Sequence, residues 1–370
     1  LRWAPYQVTS PRINLTFERT SHGLCVSLWP ISPFLGFYPM KKSLLALLLL
    51  AGGAAPALAQ QQPQFTHYGF NGMYLNPAYA GIKGQGEVNL IGRYQYYNLT
   101  NSRGDANGAP RTGLITASLP ILALNGGVGL AVSYDQAGEV RVTNTALSYS
   151  QHVKLGAGKL GFGIQGTFTY ISAGTFVAID PIDPYIPYNG SDRKFDAGAG
   201  IWYESPKFYA GLSANNLLRS TYHFANQYGN SVPSYLGENH AYFTAGYNIE
   251  ASSSVVVTPT ILAKAVLPGN SGSSNKFGNT KNYSFEGGLR ATLDDKYWIG
   301  ANYRLQESVS GLIGLSFAKD NAIRVGYAFD FVAFNQDARA LSSHEILLSY
   351  RLPKPGLILR PAIRTPRYSF

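Results

Sequence analysis

The sequence predicts an all-β fold: a transmembrane antiparallel β-barrel of about fourteen strands, with a periplasmic N-terminal segment and a C-terminal tail. Three features of the chain point to it. Apolar and polar side chains alternate with a period of two through the C-terminal four-fifths of the sequence, which puts them on opposite faces of extended strands. The alternating stretches run about ten residues or more, the length of a tilted membrane strand, whereas soluble strands average about five or six. The connections between them switch between long and short, as in barrels with long loops on one rim and tight turns on the other.

The chain begins with segments outside this pattern. Lys41 and Lys42 follow Met40 as a basic region, Leu44 to Leu50 form an apolar run, and Ala57-Leu58-Ala59 is a small-residue cleavage site. Residues 40–59 therefore read as a secretory signal peptide cut before Gln60. The apolar run is too short for a transmembrane helix, which needs about 20 apolar residues. A signal peptide works from the N-terminus, so residues 1–39 are expected to be a non-native upstream extension. The single cysteine, Cys25, lies in that extension. A mature chain without cysteine has no thiolate metal site and no disulfide framework, and it suits an oxidising compartment.

Residues 60–84 do not alternate. Gln61 to Asn71 leads into Met73-Tyr74-Leu75-Asn76-Pro77-Ala78-Tyr79-Ala80-Gly81. Asn76-Pro77 favours a turn and the clustered aromatics require burial. The segment reads as periplasmic or plug-like, packed against the barrel mouth, with a lipid-interface anchor as the alternative.

Residues 85–352 form the predicted barrel. From Leu160 to Tyr170, the side chains of Leu160, Phe162, Ile164, Phe168 and Tyr170 oppose Gly161, Gly163, Gln165, Thr167 and Thr169. Phe285, Leu289 and Leu293 likewise oppose Ser284, Glu286, Arg290 and Thr292. The same holds for Ile299, Tyr303 and Leu305 against Asn302, Arg304 and Gln306, and for Val325, Tyr327, Phe329 and Phe331 against Arg324, Gly326 and Asp330. The apolar faces carry Tyr94, Tyr96, Tyr134, Tyr149, Tyr170, Tyr203, Tyr303 and Tyr350 near strand ends, as aromatic girdles do. The polar faces hold charges that a dry sandwich core could not leave unpaired but a wet lumen can. The long connections are Asn98 to Pro110, Gly174 to Arg193, Leu217 to Glu238, Pro268 to Thr280 and Val332 to Leu341. Short ones include Lys154 to Gly158, Ser205 to Pro206, Asp294 to Asp295 and Lys319 to Asn321, while Asp135 to Glu139 and Gln306 to Ser308 are short on the long-loop side. Residues 353–370 form the basic, proline-containing tail.

Glu87, Arg93, Glu286, Arg290, Arg304, Arg324, Asp330, Glu345 and Arg351 all fall on the lumen side of this alternation. They read first as an electrostatic network that stabilises the barrel, and second as a selectivity ring or docking surface in a pore. The formal charge of +10 falls to about +6 once the leader is removed, and it is scattered rather than blocked. With no nucleic-acid motif beside it, nucleic acid is not an expected partner.

No catalytic constellation emerges. Gly161-Phe-Gly163-Ile-Gln-Gly166 matches a dinucleotide fingerprint, but it lies inside a strand where a helix N-terminus is needed. Its glycines read as small lumen-side or kink positions. His344-Glu345 begins like a zinc-protease motif, yet Leu348 stands where the second histidine belongs. Asp180, Asp183 and Asp192 read as a solvated acidic loop rather than a cation site. The chain is expected to be no enzyme and to need no cofactor.

The run from Gln62 through Gln64, Phe65, Tyr68, Asn71, Tyr74, Leu75, Asn76, Pro77, Ala78, Tyr79, Ala80 and Gly81 strongly resembles the opening of the PorP/SprF family of type IX secretion system outer-membrane proteins. Pro110-Arg111-Thr112, Gly246-Tyr247, Pro259, Tyr327 to Asp330, Ser343-His344-Glu345-Ile346 and Pro366-Arg367-Tyr368 resemble later blocks. Gln95-Tyr96 departs from the Gln-Trp common there. The resemblance implies a bacterial outer-membrane protein that works with the type IX secretion machinery and its secreted cargo, in protein and adhesin export and in gliding. Some relatives are thought to bind the C-terminal sorting domain of the secreted partner. The competing expectation is an outer-membrane channel or transporter for small or hydrophobic solutes.

Overall fold

The computed structural model describes residues 62–99, 108–174, 190–225, 231–267, 283–333 and 342–355. The leader, the upstream extension, Asp180, Asp183 and residues 356–370 of the tail lie outside them.

The strands are β1 (Glu87–Tyr94), β2 (Arg111–Ile121), β3 (Gly126–Ala137), β4 (Val140–Leu155), β5 (Gly158–Ala173), β6 (Ser191–Glu204), β7 (Phe208–Asn215), β8 (Thr221–Ala225), β9 (Ser231–Leu236), β10 (Asn239–Tyr247), β11 (Ile249–Glu250), β12 (Val255–Leu267), β13 (Tyr283–Leu293), β14 (Tyr297–Arg304), β15 (Ser308–Phe317), β16 (Ile323–Val332) and β17 (Ser342–Arg351). Fourteen of them close into one antiparallel barrel. β1 to β7 pair in succession, β7 pairs with β10, β10 with β12, and β12 to β17 in succession, until β17 returns to β1. A closed wall leaves no strand edge with unpaired backbone groups, a condition for crossing a lipid core with strands.

The two faces follow from the period of two. In β1, Glu87, Asn89, Ile91 and Arg93 are buried while Val88 and Leu90 are exposed. Around the wall the outward positions are large and apolar, including Leu147, Ile164, Ile299 and Phe195, the last 73% exposed. A band of this size facing water would be a severe aggregation liability; facing acyl chains, it is what holds the barrel in a membrane.

Three features differ from the sequence expectation. β1 ends at Tyr94, and Tyr96 lies beyond it at φ 52°, so it is not a strand residue. The connection from 216 to 238 contains a separate hairpin, β8–β9. Its Tyr222 and Phe224 pack on Ile171 and Ala173 of β5 with Val140 and Val142 of β4, covering inward positions near the long-loop rim. The five-residue β8, embedded among Gly, Asn and Pro, is too short to show a period. Finally, residues 62–84 reach well inside the wall, beyond the barrel mouth. Burying three aromatic side chains there removes more apolar surface from water than a seat on the rim could.

Candidate functional site

The site is the lumen and the chain segment that occupies it. Residues 62–84 fold as three consecutive helical turns, Tyr68–Phe70, Gly72–Leu75 and Pro77–Tyr79. Pro77 suits the start of the last turn because its missing N–H would have no helical partner. Asn76 caps that turn, its Oδ1 accepting from the Ala78 N–H at 2.9 Å. The same side chain donates through Nδ2 to the carbonyls of Ile201 on β6 (2.9 Å) and Leu212 on β7 (3.1 Å).

Such a compact segment leaves backbone groups that inward-facing side chains of the wall must satisfy. Ser213 Oγ donates to the Leu75 carbonyl at 2.6 Å, Ser150 Oγ to that of Ala78 at 3.0 Å, and His152 Nε2 to that of Ala80 at 2.9 Å. The Gly81 N–H donates to Ser118 Oγ at 2.8 Å. The approach is close enough to require glycine in the wall. A Cβ on Gly163 would collide with the backbone at Pro77–Ala78, and one on Gly127 with the Ala80 carbonyl. Gly161 and Gly163 of the apparent dinucleotide fingerprint thus pack against the segment, while Gly166 lies on the outer face with open space around it.

Aromatic contacts complete the seat. Phe65 packs with Ile91, Leu114 and Leu347, and Tyr74 meets its ring edge-on at 5.3 Å. Tyr79 meets Trp202 edge-on at 5.1 Å, and Trp202 stacks on Tyr209 at 5.5 Å. Burial pushes the Tyr79 hydroxyl above the ordinary phenol range. Tyr68 shares a 2.8 Å hydrogen bond with Thr260 and packs with Leu75, Tyr242 and Leu262. Gln64 Nε2 donates to Ser284 Oγ at 3.0 Å. Asn71 is buried, its backbone N–H closing the turn onto the Tyr68 carbonyl.

The charged residues form three groups on the inner wall. Glu345 accepts from the Thr66 N–H (2.9 Å), the His67 N–H (2.8 Å), His67 Nδ1 (2.8 Å) and Arg93 (3.0 Å). Asp330 accepts from Arg93 at 2.6 Å and from Thr66 Oγ1 at 2.7 Å. In the second group Arg304 pairs with Glu286 and Glu307, both at 2.9 Å, while Asn302 links Glu286 to the Thr66 carbonyl. The third lies nearer the short-turn rim, where Arg324 pairs with Glu87 at 3.6 Å and Arg351 with Asp295 at 3.2 Å. Arg290 makes no ion pair among the described residues. Its guanidinium stands 4.5 Å from the Phe70 ring centre, a cation–π contact. Buried charges persist only when paired and hydrogen-bonded, and here part of the pairing comes from the segment's own backbone.

His344 takes the other direction. It lies on the outer face, 2.7 Å from the Tyr327 hydroxyl and against the rings of Tyr97 and Phe329. The adjacent pair His344-Glu345 thus serves an outer aromatic girdle and an inner anchor. Among the described residues no cluster of potential metal ligands occurs. Asp192 instead accepts from the His223 N–H and pairs with Lys194 at 3.2 Å.

Trp202, Trp298, Ser150, Ser213, His152 and Lys264, whose Nζ donates to the Gln62 carbonyl at 2.8 Å, complete the seat without having been singled out from sequence. One signal was readable: Trp202 and Trp298 are large aromatics on the otherwise small and polar face, a place that makes sense only if something fills the lumen.

Residues 57–350 match the family described as type IX secretion system membrane protein PorP/SprF. The chain belongs to that family. The PorP/SprF match takes in the occupying segment and nearly the whole wall. With its closed wall and apolar exterior, this is a bacterial outer-membrane β-barrel.

Among solved structures, this PorP/SprF barrel is similar to the toluene transporter TbuX of Ralstonia pickettii, at 13% identity and TM-score 0.44 over 82% of this chain and 96% of that one. It is also similar to the toluene transporter TodX of Pseudomonas putida, at 10% identity and TM-score 0.41 over 81% and 95%. A comparison with curated proteins gives no match.

Proposed function

We propose that this PorP/SprF protein is a plugged, non-enzymatic component of the type IX secretion system. It supports export of proteins, adhesins among them, by binding machinery or cargo at its short-turn rim, and it does not conduct solute. The observation that supports this reading is the occupied lumen. A segment held by Glu345, Asn76 and the serines of the wall fills the route that a transported solute would need. Export through a signal peptide, with short turns on the side where β1 starts and β17 ends, argues that this rim faces the periplasm. The last residues of the segment, at Tyr79 to Gly84, and the tail from Pro353 then meet the machinery there.

A deletion strain should lose specific proteins from its medium and surface while small-solute uptake is unchanged. The purified barrel should show no steady conductance in a planar bilayer. An unaltered secretome together with an open conductance would return the protein to the channel reading.

A further inference from the structure

Below the segment, at the short-turn rim, lies a cavity of about 650 Å³. Its floor is the segment itself, at Tyr79, Ile82 and Lys83, and its sides include the β4–β5 and β6–β7 turns. Six cationic side chains line it, Lys83, Lys154, Lys159, Arg324, Arg351 and Lys354, against two carboxylates. Arg324 is matched by Glu87 and Arg351 by Asp295 outside the cavity. The remaining carboxylate, Glu204, accepts from the Trp202 indole at 2.8 Å. The four lysines form no ion pair among the described residues, although Lys83 stands over the Tyr79 ring and feels both Glu204 and Glu87.

Two of these lysines carry a second, independent signal. Lys154 and Lys159 stand directly opposite each other across the β4–β5 pair. Like charges in that position destabilise a hairpin, and both are exposed toward the cavity rather than turned away from it. A repulsive pair aimed into a confined, cation-rich space is relieved by an anion.

We propose that this vestibule binds an acidic, extended peptide segment of a periplasmic partner. The inference rests on the reading above only in taking this rim as the periplasmic face. The volume falls within the roughly 300–1,000 Å³ of small-ligand pockets, so a strand-like segment enters where a folded domain does not. The cations come from the segment, the β4–β5 turn, two other strands and the residues after β17. That spread fits carboxylates spaced along a chain better than one compact oxyanion. The lining side chains face inward from a closed wall, so a lipid headgroup would have to leave its leaflet and pass round the turns to reach them.

The test uses the purified full-length barrel in detergent and fluorescence anisotropy. The probe is a short labelled peptide of alternating glutamate and glycine, compared with its glutamine counterpart. The glutamate peptide should bind and the glutamine peptide should not. The double variant Lys154→Gln/Lys159→Gln should weaken binding at least about tenfold, while melting no lower than the parent because a repulsion is removed. Lys83→Gln should weaken binding independently. Equal binding of both peptides, or full affinity in the double variant, would overturn the proposal. So would displacement by inorganic phosphate beyond that given by chloride at matched ionic strength, which would mark a phosphate site. Acidic-peptide binding with an unaltered secretome would keep the site and sink the secretion reading; the reverse result would do the opposite.

Discussion

Glu345 collects more of the segment than any other side chain of the wall, because its two oxygens hold two backbone N–H groups, the His67 ring and Arg93 at once. Glu345→Ala leaves Arg93 and the Thr66–His67 backbone buried with partners missing. Breaking a buried ionic pair on one side costs about 3–5 kcal/mol, and thermal unfolding in detergent should fall accordingly. His344→Ala, one residue away but on the lipid side, should cost about 1 kcal/mol, the worth of one hydrogen bond. Equal losses would mean that Glu345 is no anchor. Asn76→Ala removes two hydrogen bonds to β6 and β7 and one turn cap. A loss of about 1–3 kcal/mol should appear as faster proteolysis of residues 62–84 before the barrel itself melts. The faces taken by Glu345 and His344 were readable from parity alone. The partner was not: Thr66 and Glu345 lie 279 positions apart, and no local pattern connects them.

The strands and the segment were legible to different degrees, for physical reasons. Strands of eight residues or more with one face in lipid must alternate, so their faces and most of their ends can be read from the sequence. The β8–β9 hairpin could not be, because five residues between turn formers carry no period. The segment declared its need for burial through its aromatics but not its depth, which is set by glycines elsewhere. Those glycines give a sharp contrast. Gly163→Val drives a side chain into the Pro77–Ala78 backbone, whereas Gly166 has open space around the same position. The first should cost about 1–3 kcal/mol as an overpacked site and loosen the segment. Gly166→Val, three residues on in the same strand, should leave proteolysis of the segment unchanged. Matching behaviour of the two would show that close approach does not explain the glycine-rich run.

For the whole molecule, the relation between wall and filling is the quantity to measure. Deleting residues 62–82 removes the aromatic seat, the backbone partners of Glu345 and the Thr66 hydroxyl that donates to Asp330, while the fourteen-strand hydrogen-bond ladder is untouched. The shortened protein should still show the mobility shift of a folded barrel on unheated gels, at a lower melting temperature. In planar bilayers it should conduct where the parent does not. A silent bilayer would place the block elsewhere, the hairpin over the long-loop mouth being the next candidate.

The join between β1 and β17 has one more consequence. Arg93 belongs to the first strand and Glu345 to the last, and they face each other in register across that join. From inside, Thr66 is bound to both side chains and His67 to Glu345. The seam at which the cylinder shuts is therefore also the place where its contents are latched. Closure and retention of the filling thus depend on the same pair of side chains, so one substitution there tests both at once.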